Sequence, residues 1–208
     1  MLPSQIHKSQ GVVISLSGPS GVGKGTVISK VLEMDPNMQH SVSITTREPR
    51  KGEIEGINYY FTTKENFKKM IENGEILEHD IYCGNYYGTP KAPLIKAIEN
   101  GVDVIMDITV PGSISVMERL PEAVSIFLLP PSYSELKRRL LSRGTETKEV
   151  QEMRLKKAIS EIGNSELFEY ILINDDIKEA ANAIMAITKA ERYKYKRLKG
   201  IEEAVIKN

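Results

Sequence analysis

The stretch GPSGVGKGT, from Gly18 to Thr26, constrains this chain more than any other. It follows the apolar run VVISLS and fits the spacing G-x-x-x-x-G-K of a loop whose backbone N–H groups turn inward on a phosphate. Glycines let the backbone make that turn. A helix beginning near Lys24 adds the positive end of its dipole, and Lys24 itself reaches the β- and γ-phosphates as a point charge. The motif has meaning only between a strand and a helix, and both are predicted. GVVISLS (11–17) reads as a buried strand, and Lys24 to Glu33 reads as a helix that ends before Asp35-Pro36, because a residue before proline avoids the α region. Gly25 stands where the general motif carries the Ser or Thr that holds Mg²⁺. The metal must then rely on nucleotide phosphates and water, and Thr26 can offer its hydroxyl and N–H to an α-phosphate. This argues for a small kinase over a GTPase-type switch.

The rest of the chain repeats the strand–helix rhythm. HSVSITT, VDVIMDIT (102–109), AVSIFLLP and EYILIN read as further strands. APLIKAIENG, SISVMERL, SYSELKRRLLSRG and TETKEVQEMRLKKAISEI read as helices, and Ile177, Ala180, Ala181, Ile184 and Ile187 make a last helical stripe. Such alternation predicts an α/β fold, a parallel sheet with helices on both faces. The stretch 46–90 breaks the rhythm. TKENFKKMIENG is a short helix with Thr63 as N-cap and Gly74 as C-cap, and EILEHDIYCGNYYGTP is a hairpin closed by Pro90, so a small mixed β/α lobe is expected. The polar, basic stretch 143–154 at a helix junction reads as a movable flap. KAERYKYKRLKG reads as the solvated face and frayed end of the last helix.

Composition excludes more than it assigns. A length of 208 residues favours one domain, and 28 basic residues balance 28 acidic ones, so no global field favours nucleic acid or a membrane surface. Anion binding must come from local clusters. The lone Cys83 excludes a disulfide scaffold or a cysteine-rich zinc site, and His7, His40 and His79 lack metal-ligand spacing. MLPSQIHKSQ has no charged start followed by an apolar core, and no apolar run approaches the ~20 residues of a membrane span. A cytoplasmic protein is the expectation.

A second anion site is readable in TTREPR, where Arg47 and Arg50 flank Pro49. Two guanidinium forks suit a terminal monophosphate, with Tyr59 and Tyr87 as added donors. Alone, the pair would be a solvated loop; beside a phosphate loop it makes a second phosphate site. Arg138, Arg139, Arg143 and Arg154 surround GTETKE, with Glu135, Glu146 and Glu149 as partners. They read as solvated when the flap is open and as charge for a transferring phosphoryl group when it is closed.

In this order, LSGPSGVGKGT, SVSITTREPRKGEIEGINYYF, GNYYGTP, FLLPPS, RGTET and INDD resemble the guanylate kinases, from about Gly11 to Arg197. The resemblance implies transfer of a phosphoryl group from Mg²⁺-ATP to GMP or dGMP. It implies a core (about 11–42, 91–137 and 155–197), a GMP-binding lobe (about 43–90) and a lid (about 138–154). It assigns Gly18, Ser20, Gly21, Val22, Gly23, Lys24, Gly25 and Thr26 to ATP phosphates and puts Asn174 near the adenine. Arg47, Arg50, Tyr59 and Tyr87 would hold the GMP phosphate, and Ser43, Glu78 and Thr89 would read guanine. Lys24, Arg47, Arg139, Arg143 and Arg154 would carry the transfer. Glu78 has a physical reason: a carboxylate accepts from guanine N1–H and the 2-amino group, and adenine offers neither. The family pattern departs at Thr109, where a second acid is usual, at Pro111 for Gln, at His79 for Trp, and at NSELFEY before the last strand. Asp107 has two readings: it orients Mg²⁺ through water, as Thr26 also can, or it touches the nucleoside or tethers an arginine. The alternatives to a GMP kinase are a catalytically idle binding module of the same fold and a kinase of altered base specificity. No direct protein ligand to a metal is expected.

Overall fold

A computed structural model describes residues 10–141 and 148–207. In chain order, β1 (Val13–Ser17) leads to α1 (Lys24–Met34); then come β2 (Met38–His40), β3 (Ile44–Thr45), β4 (Tyr60–Phe61), α2 (Lys64–Glu72), β5 (Ile76–Tyr82), β6 (Asn85–Pro90) and α3 (Lys91–Glu99). After these come β7 (Asp103–Asp107), α4 (Val110–Arg119), β8 (Val124–Leu129), α5 (Tyr133–Leu141), α6 (Lys148–Ile162), a 3-10 turn (Ser165–Leu167), β9 (Tyr170–Ile173), α7 (Ile177–Glu191), α8 (Tyr195–Leu198) and α9 (Ile201–Lys207).

β1 is buried at every residue and forms the middle of a five-stranded parallel sheet, ordered β2-β7-β1-β8-β9. A strand buried on both faces needs a mostly apolar run, which Val13, Ile14 and Leu16 supply, while the buried Ser15 hydroxyl donates to Ser113 Oγ at 2.8 Å. Ile14 and Leu16 face α1 and α7, packing with Val27, Val31, Ala181 and Ile184. Val13 faces the opposite layer, with Leu94 of α3, Val104, Met106 and Val116 of α4. The predicted layered α/β core is therefore observed. None of the described helices is long and apolar enough to cross a membrane.

A second sheet of four strands, β4-β3-β6-β5, carries the residues that break the rhythm. Its core is Ile44, Phe67 and Ile76. Thr63 caps α2 by accepting from Asn66 N at 3.2 Å. Asn73 is the C-cap, one position earlier than the Gly74 of the sequence reading, and Gly74 is the left-handed residue that follows it. Cys83 and Gly84 both have positive φ in the two-residue turn that joins β5 to β6, the primed geometry that matches strand twist.

Three other expectations need correction. HSVSITT is not one strand: Met38–His40 pairs with β7 in the first sheet, and Ile44–Thr45 pairs with β4 and β6 in the second. The segment crosses between sheets just after Ser41 N donates to Ile105 O at 2.9 Å. The strand read as 102–109 stops at Asp107. Thr109 is the N-cap of α4, accepting from Gly112 N at 3.2 Å, and Pro111 sits in the first turn, where its missing N–H costs nothing.

KAERYKYKRLKG is also not a frayed end. Glu191 is 1% exposed and accepts from the Tyr170 hydroxyl at 2.7 Å and Lys194 Nζ at 2.6 Å, and Arg197 donates to Glu122 O. Arg192 pairs at 2.6 Å with buried Asp103, which also accepts from Val12 N at 2.6 Å. Asp103 thus ties the sheet to the end of α7. Asp103→Ala leaves the Val12 N–H unpaired and strips Arg192 of this partner, so urea unfolding should show a loss of about 3 kcal/mol. A loss below about 0.5 kcal/mol would mean that this pair is no more than an ordinary surface contact.

Candidate functional site

The glycine loop leaves the carboxyl end of β1. Gly23 caps α1 in the left-handed region (φ 100°), a conformation that L side chains rarely adopt. No side chain caps α1, and its first turn holds no acid, so its leading N–H groups lie open to an anion. Lys24 Nζ donates to Gly18 O at 2.9 Å and lies 4.0 Å from Asp107 Oδ1. A side chain at Gly25 would meet open space, so packing does not impose glycine there. Thr26 is exposed on the first turn of α1.

Two of the flanking arginines reach this loop. Arg139, on α5, donates to Val22 O and Asn174 O, both at 3.1 Å, while its Nε pairs with Glu135 at 2.7 Å. Glu135 also takes Arg138 at 2.6 Å, and these two guanidiniums push its pKa down to about 2. Arg154, on α6, donates to Ser20 Oγ at 2.9 Å; Glu161, which sequence reasoning missed, accepts from Ser20 N at 3.1 Å. Asn174 is 3% exposed and donates to Val22 O at 2.8 Å, so its side chain braces the loop's backbone. Its Oδ1 has no partner among the described residues. Arg143 lies outside the described residues.

The second anion site is held by an acid that the sequence reading did not single out. Glu53 accepts both ends of the Arg47 fork, at 3.0 and 2.8 Å, and also Arg50 N at 2.7 Å. The signal available was an acid six residues after Arg47 and three after Arg50. The Arg47 bond holds Glu53 below the ordinary carboxylate range, and Glu53 in turn raises Arg47. Arg47 also lies over the Tyr59 ring (5.3 Å), which meets Tyr87 edge-on at 6.1 Å. Burial raises the Tyr59 hydroxyl, and the neighbouring Tyr87 adds to it. Arg50 is exposed.

Between the two sheets lies a cavity of ≈ 200 Å³, lined among others by Ser43, Tyr59, Glu78, Tyr87 and Asp107. Asp80, Tyr82 and Thr109 line it too, and the sequence pattern assigns none of them to a site. A bulge in β5 between Ile76 and His79 sorts the strand's side chains. Ile76 enters the lobe core, Leu77 enters the main core, and Glu78 reaches the cavity. His79 instead turns its ring toward Phe67 (6.2 Å). Glu78 is 4% exposed, and Thr89 donates to its Oε1 at 2.7 Å. Its Oε2 lies against Gly112, where an added Cβ would stand only 2.7 Å away. Asp107, at the end of β7, is a wall of the cavity and the neighbour of Lys24.

Burial pushes the Glu78 carboxyl above its ordinary 4.5; the Thr89 bond opposes this and the Asp80 charge adds to it. A raised carboxyl binds its proton more tightly folded than unfolded, so stability falls as pH climbs through the window above 4.5. Glu78→Gln keeps an acceptor for Thr89 and removes the charge. It should melt higher than the parent at pH 7, with the gain fading once pH drops below about 4. A gain of equal size at both pH values would mean that the buried charge is not its source.

The sequence profile of the family described as guanylate kinase matches residues 9–191. The guanylate kinase of Halalkalibacterium halodurans is 49% identical over 193 residues, 93% of this chain and 95% of that protein. That of Bacillus subtilis is 44% identical over 192 residues, 92% and 94% of the two chains. The crystal structure of guanylate kinase from Anaplasma phagocytophilum superposes with a TM-score of 0.79 at 39% identity, covering 98% of this chain and 97% of that one. Profile, relatives and fold agree over nearly the whole length, and the chain belongs to the guanylate kinase family.

Proposed function

We propose that this chain transfers the γ-phosphoryl group of ATP to GMP or dGMP, giving ADP and the diphosphate. The observation that carries this reading is the shared wall: Asp107 lines the cavity and stands 4.0 Å from Lys24 of the phosphate loop. A donor site and an acceptor site therefore face each other across one carboxylate.

On this reading the loop and the start of α1, from Gly18, Ser20, Gly21, Val22 and Gly23 to Gly25 and Thr26, cradle the ATP phosphates, with Lys24 at their far end. The loop of Arg47 and Arg50, with Tyr59 and Tyr87, holds the acceptor phosphate. Glu78 accepts from guanine N1–H and the 2-amino group, Thr89 aims that carboxylate, and Ser43 donates to O6. The four-stranded lobe is the acceptor-binding part and 138–154 is the lid. An oxygen of the GMP phosphate attacks the γ-phosphorus, that P–O bond forms, and the bond to the β-phosphate oxygen breaks as ADP leaves. The attacking phosphate is already anionic, so no general base is needed. Lys24, Arg139, Arg143 and Arg154 carry the developing charge.

Among the described residues no cluster of acids, histidines or cysteines could cage a metal. Thr26 and Asp107 are oxygen donors beside the loop that fit Mg²⁺ held mainly by phosphates and water, which supplies further charge neutralisation when bound.

ADP release coupled to a reporter enzyme, with Mg²⁺-ATP and GMP, dGMP, IMP, AMP or UMP, should show turnover that requires GMP or dGMP. Lys24→Ala should lower it about a hundredfold or more. Folded protein inactive with every monophosphate would overturn the reading in favour of a binding module. Glu53→Gln should raise KM for GMP about tenfold and leave KM for ATP unchanged, because only the acceptor arginines lose their brace. Equal changes in both would refute that division.

A further inference from the structure

Glu78 is not the only carboxylate at the cavity. Asp80 stands two residues along β5 and lines the same space. Its Oδ1 accepts from Ile81 N at 2.7 Å, and its Oδ2 accepts from the Thr109 hydroxyl at 3.0 Å. The same Thr109 oxygen accepts from Gly112 N at 3.2 Å and so caps α4. One hydroxyl on the main core thus fixes the direction of an acid on the lobe, 29 residues away in the chain. An acid left to solvent gains nothing from such a tether, which costs rotamer freedom at both ends. A group whose aim matters gains preorganisation.

The chemistry of the proposed acceptor gives that aim a purpose, and a role for Asp80 in reading the base rests on the GMP assignment. The guanine edge offers one N1–H and two N–H groups on its 2-amino nitrogen. A carboxylate can take N1–H and the nearer amino N–H side by side, one on each oxygen. The second amino N–H points away from N1 and needs an acceptor of its own, which the Glu78 carboxylate cannot supply at the same time. We infer that Asp80 is a specificity residue that accepts from this second amino N–H, and that Thr109 is the positioning residue that aims it. Glu78 and Asp80 together then select a base edge made of donors. Hypoxanthine, which lacks the 2-amino group, gains nothing from Asp80, and adenine, whose N1 is an acceptor, is repelled by Glu78.

The test is steady-state kinetics of the full chain with GMP and with IMP, for the parent, Asp80→Ala, Thr109→Val and Thr109→Ser. Asp80→Ala should lower kcat/KM for GMP about tenfold or more, mostly through KM, and change IMP by less than about twofold. The GMP-to-IMP ratio should fall accordingly. Thr109→Val should move the ratio the same way by less, and Thr109→Ser should restore it. A merely structural role would lower GMP and IMP together, and that result would overturn the assignment. A parent enzyme that prefers GMP, with an unchanged ratio in Asp80→Ala and in Thr109→Val, would overturn the role of Asp80 alone. A parent with no GMP turnover would overturn the underlying GMP reading instead.

Discussion

The parallel pairing of β1 with β7 sets the distance between the two halves of the site. Leu16 lies opposite Asp107 in that ladder, so the glycine loop and the Asp107 carboxylate leave the sheet at the same edge. In an open parallel sheet that edge, beyond the carboxyl ends of the strands, is where ligands gather. The pairing rests on Val13, Ile14, Val104 and Ile105, buried side chains that have no contact with chemistry. The separation of Lys24 from Asp107 is therefore fixed by apolar packing and does not depend on the weak attraction between two partly exposed charges.

Charge at the site is balanced pair by pair, in keeping with the neutral total. Arg47 rests on Glu53, Arg139 on Glu135, and Lys24 near Asp107. Glu135 is pushed down to about 2, so its pairing with the two arginines persists across any ordinary working pH. Glu78 differs: it is buried, its carboxyl is raised, and the group that donates to it is a neutral hydroxyl. A buried carboxylate with spare acceptor capacity is costly in the empty protein and favourable once donors arrive. Such an imbalance favours a ligand edge made of donors.

Much of this was legible because it is local. The loop, its strand and its helix lie within contiguous residues, and the buried runs of β7 and β8 carry no competing pattern. The split of HSVSITT was not legible, since a three-residue strand and a two-residue strand are too short for any period to register, and each is defined by partners far along the chain. Glu53 was hidden in a polar turn whose acids look alike until one of them meets Arg47. Thr109 was read as the end of a strand and as a missing acid. Its cap geometry shows only once α4 is in place, and its bond to Asp80 depends on the bulge that sets the facing of β5. The resemblance pointed to Glu78 and Thr89, which a hydrogen bond joins, but it could not supply a residue outside the family pattern such as Asp80.

The groups that the proposed function assigns to the base and to the phosphates are built on different supports. Glu78 and Asp80 sit on a strand, tied by Thr89, Thr109 and the close approach of Gly112 at the start of a helix. Arg119 adds a bond from the same helix to Leu77 O at 2.7 Å. The lobe strand cannot slide past α4 without breaking these bonds together, so the positions of Glu78 and Asp80 are held at the junction of lobe and core. Arg50 is on an exposed turn, and Arg139 and Arg154 stand on the two helices that flank 142–147. Telling one purine from another depends on sub-ångström placement of acceptors, which strands and helix caps provide. Moving a phosphoryl group depends on bringing positive charge up to it and taking it away again, a task better suited to side chains on an exposed turn or a helix than to ones locked in a strand.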